Sequence, residues 1–301
     1  MKALNRTVVG AAFVVLCTTQ CGTAAVNPPA PDMRIEFDTP ADTNIPKSAV
    51  REWLQRSHAA IAHYFGQFPL KELVVTIHGD QGSEVGYGST TWEAGHGSIE
   101  INVGDDVDPN ALLHDWTAAH EMTHLAFPIL PRADRWVAEG MATYIEPIAR
   151  LQAGQLTREA VWSDFVKNGP RALPPDGALG GTRSIGQMYW GGAVWCLLAD
   201  IELRQKTHNH AGFQDAMRAV VKAHATADSD FSTEQALALG DKALNVDVLV
   251  PLYHRFSIGP TNVDLENLWR RLGIIRAPGS VRFDETAPLA YIRRSIEVGP
   301  K

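Results

Sequence analysis

His120-Glu121-Met122-Thr123-His124, followed by Arg135-Trp136-Val137-Ala138-Glu139-Gly140, decides how the rest of the 301-residue chain is read. Histidines four positions apart on a helix project from one face, a single turn from each other. That spacing lets two imidazoles grip one Zn²⁺, and a glutamate beside the first can reach a water on the metal. Local signals favour a helix from Asp108 to Phe127, with Asp108 as its N-cap, Pro109 in the first helical position and Pro128 as its stop. A second helix opens after the N-cap candidate Asp134 and runs from Arg135 to Glu146. A catalytic zinc site needs a third protein ligand and keeps one position open. Glu139, separated from His124 by fourteen residues, is the obvious supplier.

The pairing of H-E-x-x-H with Trp136-x-x-Glu139-Gly140-x-x-x-Tyr144 resembles the gluzincin metallopeptidases, specifically the aminopeptidase N and glycyl aminopeptidase branches. The resemblance implies an α+β zincin fold, thermolysin-like, in which a small mixed sheet and an active-site helix precede a mostly helical C-terminal lobe. It implies one Zn²⁺ per chain held by His120, His124 and Glu139, with Glu121 as general base. Tyr189-Trp190-Gly191-Gly192 is similar to the Y-x-x-G helix of these families, whose tyrosine helps to stabilise the tetrahedral transition state. Glu146 lies seven residues after Glu139 and so points the same way, placed to accept the second N–H of a metal-bound histidine; a solvated surface Glu before Pro147 is the alternative. Gly97-Ser98-Ile99-Glu100 loosely resembles the G-x-M-E-N motif, whose Glu holds a substrate's amino group; an ordinary exposed strand Glu is the alternative. The resemblance spans roughly residues 99–272.

Composition narrows the classes around this motif. A hydrophobic fraction of 45% and a charged fraction of 20% describe an ordinary globular chain. The net charge of −7, with no Lys/Arg cluster, argues against nucleic acid as a partner. Residues 1–25 have the pattern of a secretory signal peptide: Lys2 and Arg6, an apolar run from Val8 to Leu16, then small residues ending Thr23-Ala24-Ala25. The run is too short to remain as a transmembrane anchor. Export, secreted or periplasmic, is the expectation, with a lipid anchor at Cys21 as the alternative. Asn27 to Pro31 suits a tether or a frayed mature terminus, and Cys196 reads as core.

Residues 26–301 are expected to form one domain, an α/β lobe over 26–130 and a helical lobe over 131–301. Strands are expected over 33–37, 73–77 and 98–103, from apolar alternation or β-branched content. A helix capped by Ser48 runs to Phe65, with Trp53, Leu54, Ile61, Tyr64 and Phe65 inward and Gly66 as its stop. The glycine-rich stretch from Gly79 to Gly97 reads as a loop, either a functional flap or plainly mobile. Further helices are expected over 158–167, 188–206, 213–221, 245–256 and 263–272, and residues 281–301 carry no recognisable chemistry. Zinc-dependent hydrolysis of a peptide or protein substrate follows, as aminopeptidase or endopeptidase. Two rivals stand beside it: a non-catalytic zinc and peptide binder, and a zinc hydrolase acting on an ester or epoxide.

Overall fold

Leu73, Val75 and Ile77 alternate with Val74, Thr76 and His78, and in the computed structural model that alternation puts the first three fully inside. The structure describes residues 32–39, 43–93, 95–174 and 177–300; the expected signal peptide, Cys17, Cys21 and the Pro-rich stretch lie outside them. The strand β2 (Glu72–Asp80) is flanked in parallel by β1 (Asp32–Asp38) and β4 (His96–Gly104). β3 (Val85–Glu93) pairs antiparallel with β4 at the far edge, giving the order β1-β2-β4-β3. Helix α1 (Lys47–Phe65) connects β1 to β2 and buries all five residues expected of its inner face, ending at left-handed Gly66. Its first residue follows Pro46, so Ser48 sits inside the first turn and caps nothing.

The stretch from Gly79 to Gly97 is therefore not a loop: most of it is β3 and the ends of its neighbours. Glycine weakens a strand's sequence signal but permits close backbone approach. A Cβ on Gly88 would stand 2.8 Å from Thr117 and 2.9 Å from Glu121, so that strand position admits only glycine without movement.

The expected helix over 108–127 is broken into α2 (Pro109–Leu112) and α3 (Thr117–His124). Asp108 does cap the first piece, accepting from the Asn110 N–H at 3.0 Å. The break has distant causes. The His114 carbonyl accepts from Arg150 at 2.7 Å and the Asp115 carbonyl from the Trp53 indole at 3.1 Å, so neither needs a donor one turn on. The Asp115 carboxylate takes the Thr117 N–H at 2.7 Å and opens α3.

Helix α4 (Arg135–Gln152) passes through Pro147 instead of ending at Glu146. Proline removes one helical hydrogen bond, but the Glu146–Arg150 pair bridges it and Ile148 and Ala149 beyond it are buried. Asp134 makes no cap; its carboxylate accepts from Thr233 and from Tyr253 at 2.9 Å. Then follow α5 (Arg158–Asn168), a π-turn over Gln187–Gly191, α6 (Gly192–Lys206) and α7 (Phe213–Lys222). Helix α8 (Thr233–Leu244) went unread despite its Ser232–Gln235 capping box. Asn245 is its left-handed end rather than a helix start, and α9 is Leu249–Ile258. Helix α10 (Leu265–Leu272) stops at Gly273 as expected, and beyond it the chain forms β5 (Ile274–Ala277), β6 (Ser280–Phe283) and α11 (Ala290–Val298). Among the described residues no helix is long and apolar enough to cross a membrane.

α4 and α6 meet backbone to backbone where Gly140 faces Gly192. A Cβ on either would lie inside the other's main chain. Gly140→Ala should cost about 1–3 kcal/mol or more through overpacking, read as a lower thermal midpoint. An unchanged midpoint would mean that the helices separate freely there.

Candidate metal centre

α3 presents His120 and His124 toward α4, which returns Glu139 between them. Glu139 Oε2 stands 3.3 Å from His120 Nε2 and 3.6 Å from His124 Nε2, and the three donors lie within 4.8 Å of one another. Zinc–ligand bonds of about 2.0–2.2 Å in a tetrahedron place neighbouring ligands about 3.3–3.6 Å apart. Two edges of the triad already have that length. Two imidazoles and one carboxylate are also the donor set zinc prefers in catalytic sites, so the residues fit a zinc ion.

The surroundings hold each donor in place. The Trp116 ring meets His120 edge-on at 4.9 Å, and the Tyr189 ring stacks on it at 5.3 Å with a 10° tilt. Arg135, one helical turn before Glu139, binds Glu139 Oε1 at 3.3 Å and leaves Oε2 to the imidazoles. Burial lowers the pKa of His120 against the pull of Glu139, which keeps the imidazole a neutral donor. Burial also disfavours charge on His124, but its bond to Glu139 and the Glu121 carboxylate outweigh that and raise its pKa. Glu139 is desolvated, yet its bonds to both imidazoles hold it well below the usual carboxylate range.

Glu121 lies beside the triad on α3 and is buried. The Thr90 hydroxyl on β3 bonds Glu121 Oε2 at 2.6 Å and lies 2.9 Å from the Glu121 carbonyl. Thr90 was missed because its strand was read as a loop; the alternation of Gly88, Thr90 and Trp92 was the available signal. Arg135 was missed too, although its spacing to Glu139 is that of a helical ion pair.

Tyr189, on the π-turn, lines the same cleft as Glu121, His124 and Glu139. π-Turns inside helices recur at functional sites. Burial and the nearby Glu139 carboxylate raise its phenol pKa, so it keeps its proton. Glu146 is brought near without joining. Its bond goes to Arg150 rather than to an imidazole, and burial, opposed by Arg150, pushes it up to about 7. Glu100 is not brought in: its side chain is 63% exposed and pairs with His78 at 3.7 Å, on the sheet face opposite buried Ile99 and Ile101.

No protein-family model matches the sequence, and no curated protein matches it. Among solved structures, an aminopeptidase N family protein from Idiomarina loihiensis superposes with a TM-score of 0.52 at 12% identity, over 80% of this chain and 47% of that one. An M1 zinc metallopeptidase from Deinococcus radiodurans gives 0.48 at 18% identity, over 77% and 49%. The first likeness is one of fold: mixed α and β, a small sheet and a mostly helical part. The chain spans about half the length of these structures.

Elemental analysis of purified protein should find about one zinc per chain, as three protein ligands imply. His120→Ala and Glu139→Ala should each lose it, and chelation should lower the melting temperature of the parent only, since a ligand bound to the native state stabilises it. Full zinc occupancy in the His120→Ala/His124→Ala double variant would remove this site.

Proposed function

We propose that this chain is a zinc-dependent hydrolase of peptide bonds, with His120, His124 and Glu139 as ligands and Glu121 as general base. The observation that carries the reading is Glu121 itself, buried beside three converging metal donors with one oxygen held by Thr90. Zinc bound there would supply a Lewis acid and lower the pKa of water toward neutrality.

The chain's own residues supply the rest. With Oε2 committed to Thr90, Glu121 accepts the proton of the attacking water on Oε1 and later delivers it to the leaving amine. Tyr189 keeps its phenolic proton and donates it as a hydrogen bond to the oxygen that gains negative charge. β3 offers the substrate a backbone. Residues 87–91 line the cleft, and among the described residues the strand pairs with β4 on one side only, so an extended peptide can add to its free edge.

That edge favours a peptide over an ester or epoxide, which has no backbone to pair. A pure zinc or peptide binder has no use for a carboxylate buried and braced beside the metal. Export belongs to the same proposal and rests on residues 1–25 alone.

Glu121→Gln is nearly isosteric and touches no metal ligand, so zinc should stay while turnover falls about 10²–10⁴-fold. Near-normal turnover would rule Glu121 out as base. Tyr189→Phe should keep zinc and the melting temperature and lose about 10²–10³ in kcat with KM little changed. A fall in stability matching the loss of activity would instead make Tyr189 a packing residue. Thr90→Val should lower kcat more than KM while Thr90→Ser restores it; equal kcat for valine and serine would show that the hydroxyl does not position Glu121.

A further inference from the structure

We infer that the cleft takes the interior of an extended peptide and gives its free amino terminus no anchor, so the substrates are internal bonds and end-blocked chains as much as free ends. The inference rests on the peptide-hydrolase reading and adds the substrate class to it. It follows from where the charges stand around the site.

An ammonium group needs a carboxylate with an uncommitted oxygen. Among the described residues lining the cleft there are two carboxylates, Glu121 and Glu139. Glu121 has one oxygen on Thr90 and needs the other for the water. Glu139 has one oxygen on Arg135 and the other facing both imidazoles. Neither is left to hold a substrate's amine.

The remaining fixed charge in the cleft has the wrong sign. The Arg135 side chain is 60% exposed and bonds Glu139 through Nε, so its guanidinium stands beside the metal donors and repels an ammonium at close range. Glu100, the candidate amine holder by sequence, is turned to the other face of the sheet and paired with His78. Two further acids lie behind the site. Glu146 and Asp164 line a separate cavity of about 400 Å³ that shares only Tyr189 with the cleft. Glu146 is bonded to Arg150 there, and the Tyr189 ring, stacked on His120, is the one side chain common to that cavity and the cleft.

What the cleft does offer does not depend on chain ends. The free edge of β3 pairs with backbone, which every residue of a substrate carries. Exposed Tyr87 and Ile129 at the rim give apolar surface to substrate residues away from the scissile bond.

The test uses two quenched fluorescent decapeptides, identical except that one has a free and the other an acetylated amino terminus. Zinc-loaded protein is assayed beside Glu121→Gln, with products identified by mass. Both peptides should be cut at the same interior bond, with kcat/KM values agreeing within about threefold, whereas a lost charge-assisted contact worth about 1.5–3 kcal/mol would separate them by roughly 10–150-fold. Glu100→Ala should leave both values unchanged. Cleavage of the free peptide alone, stepwise release from its amino terminus, or a selective loss on that peptide in Glu100→Ala would overturn the inference. Cleavage of neither peptide, or equal cleavage by Glu121→Gln, would sink the hydrolase reading and take this inference with it.

Discussion

One contact sets the distances on which the site depends: the approach of α4 to α6 at Gly140 and Gly192. Glu139 immediately precedes the first glycine, and Tyr189 lies three residues before the second. A helix pair with ordinary side chains at the crossing keeps its axes about 8–10 Å apart. Removing both Cβ atoms lets the two main chains touch, which draws the π-turn down onto α4 and lays the Tyr189 ring on His120. The triad and the phenol are thus separated by packing, not by sequence spacing. Their relation is stiff because neither helix can retreat without opening a void in a core that includes Trp136 and Trp195, in edge contact at 5.6 Å.

Features governed by neighbours in sequence were legible, and features governed by distant partners were not. The two histidines, Glu121 and Glu139 belong to short helical periods, and the structure brings all three donors together. β1, β2, β4 and the inner face of α1 follow from apolar alternation and periodicity, and they are where those patterns put them. The break between α2 and α3 was invisible because its causes, Trp53 and Arg150, lie 62 and 36 residues from the carbonyls they capture. Asp134 looked like a cap on local grounds and is used by Thr233 and Tyr253 instead. The helix expected to end at Glu146 runs on through Pro147, carried past it by buried packing. Helix α8 does carry a local signal, the Ser232–Gln235 capping box at its start.

The two glutamates of the centre show how one residue type is divided between two tasks. Each is buried and each has one oxygen held by a residue outside the donor triad, but by partners of different kind. Glu139 is held by a guanidinium, a full positive charge that, with the imidazoles, favours its ionised form and suits it to a cation. Glu121 is held by a neutral hydroxyl, which fixes its orientation without placing a full charge on it. A base has to bind and release a proton within each turnover, and a ligand must not. The choice of threonine rather than arginine beside Glu121 is therefore a chemical difference, made by a strand that the sequence pattern hides.

That strand explains why glycine and hydroxyl residues dominate it. β3 pairs with β4 along one edge and leaves the other to the cleft, so its hydrogen bonding is fixed by backbone and asks little of side-chain propensity. Positions 88, 90 and 92 face α3, and each meets a different demand. Gly88 must have no side chain because the Glu121 carboxylate occupies that space, 2.9 Å from where a Cβ would stand. Thr90 must carry a donor of short reach, and Trp92 packs against the core to hold the strand's far end. A more apolar sequence there would read clearly as a strand and would pack well on α3. It would also fill the space beside Glu121 Oε1 and leave Oε2 without its bond, so the weak strand signal is a consequence of keeping that carboxylate both positioned and open.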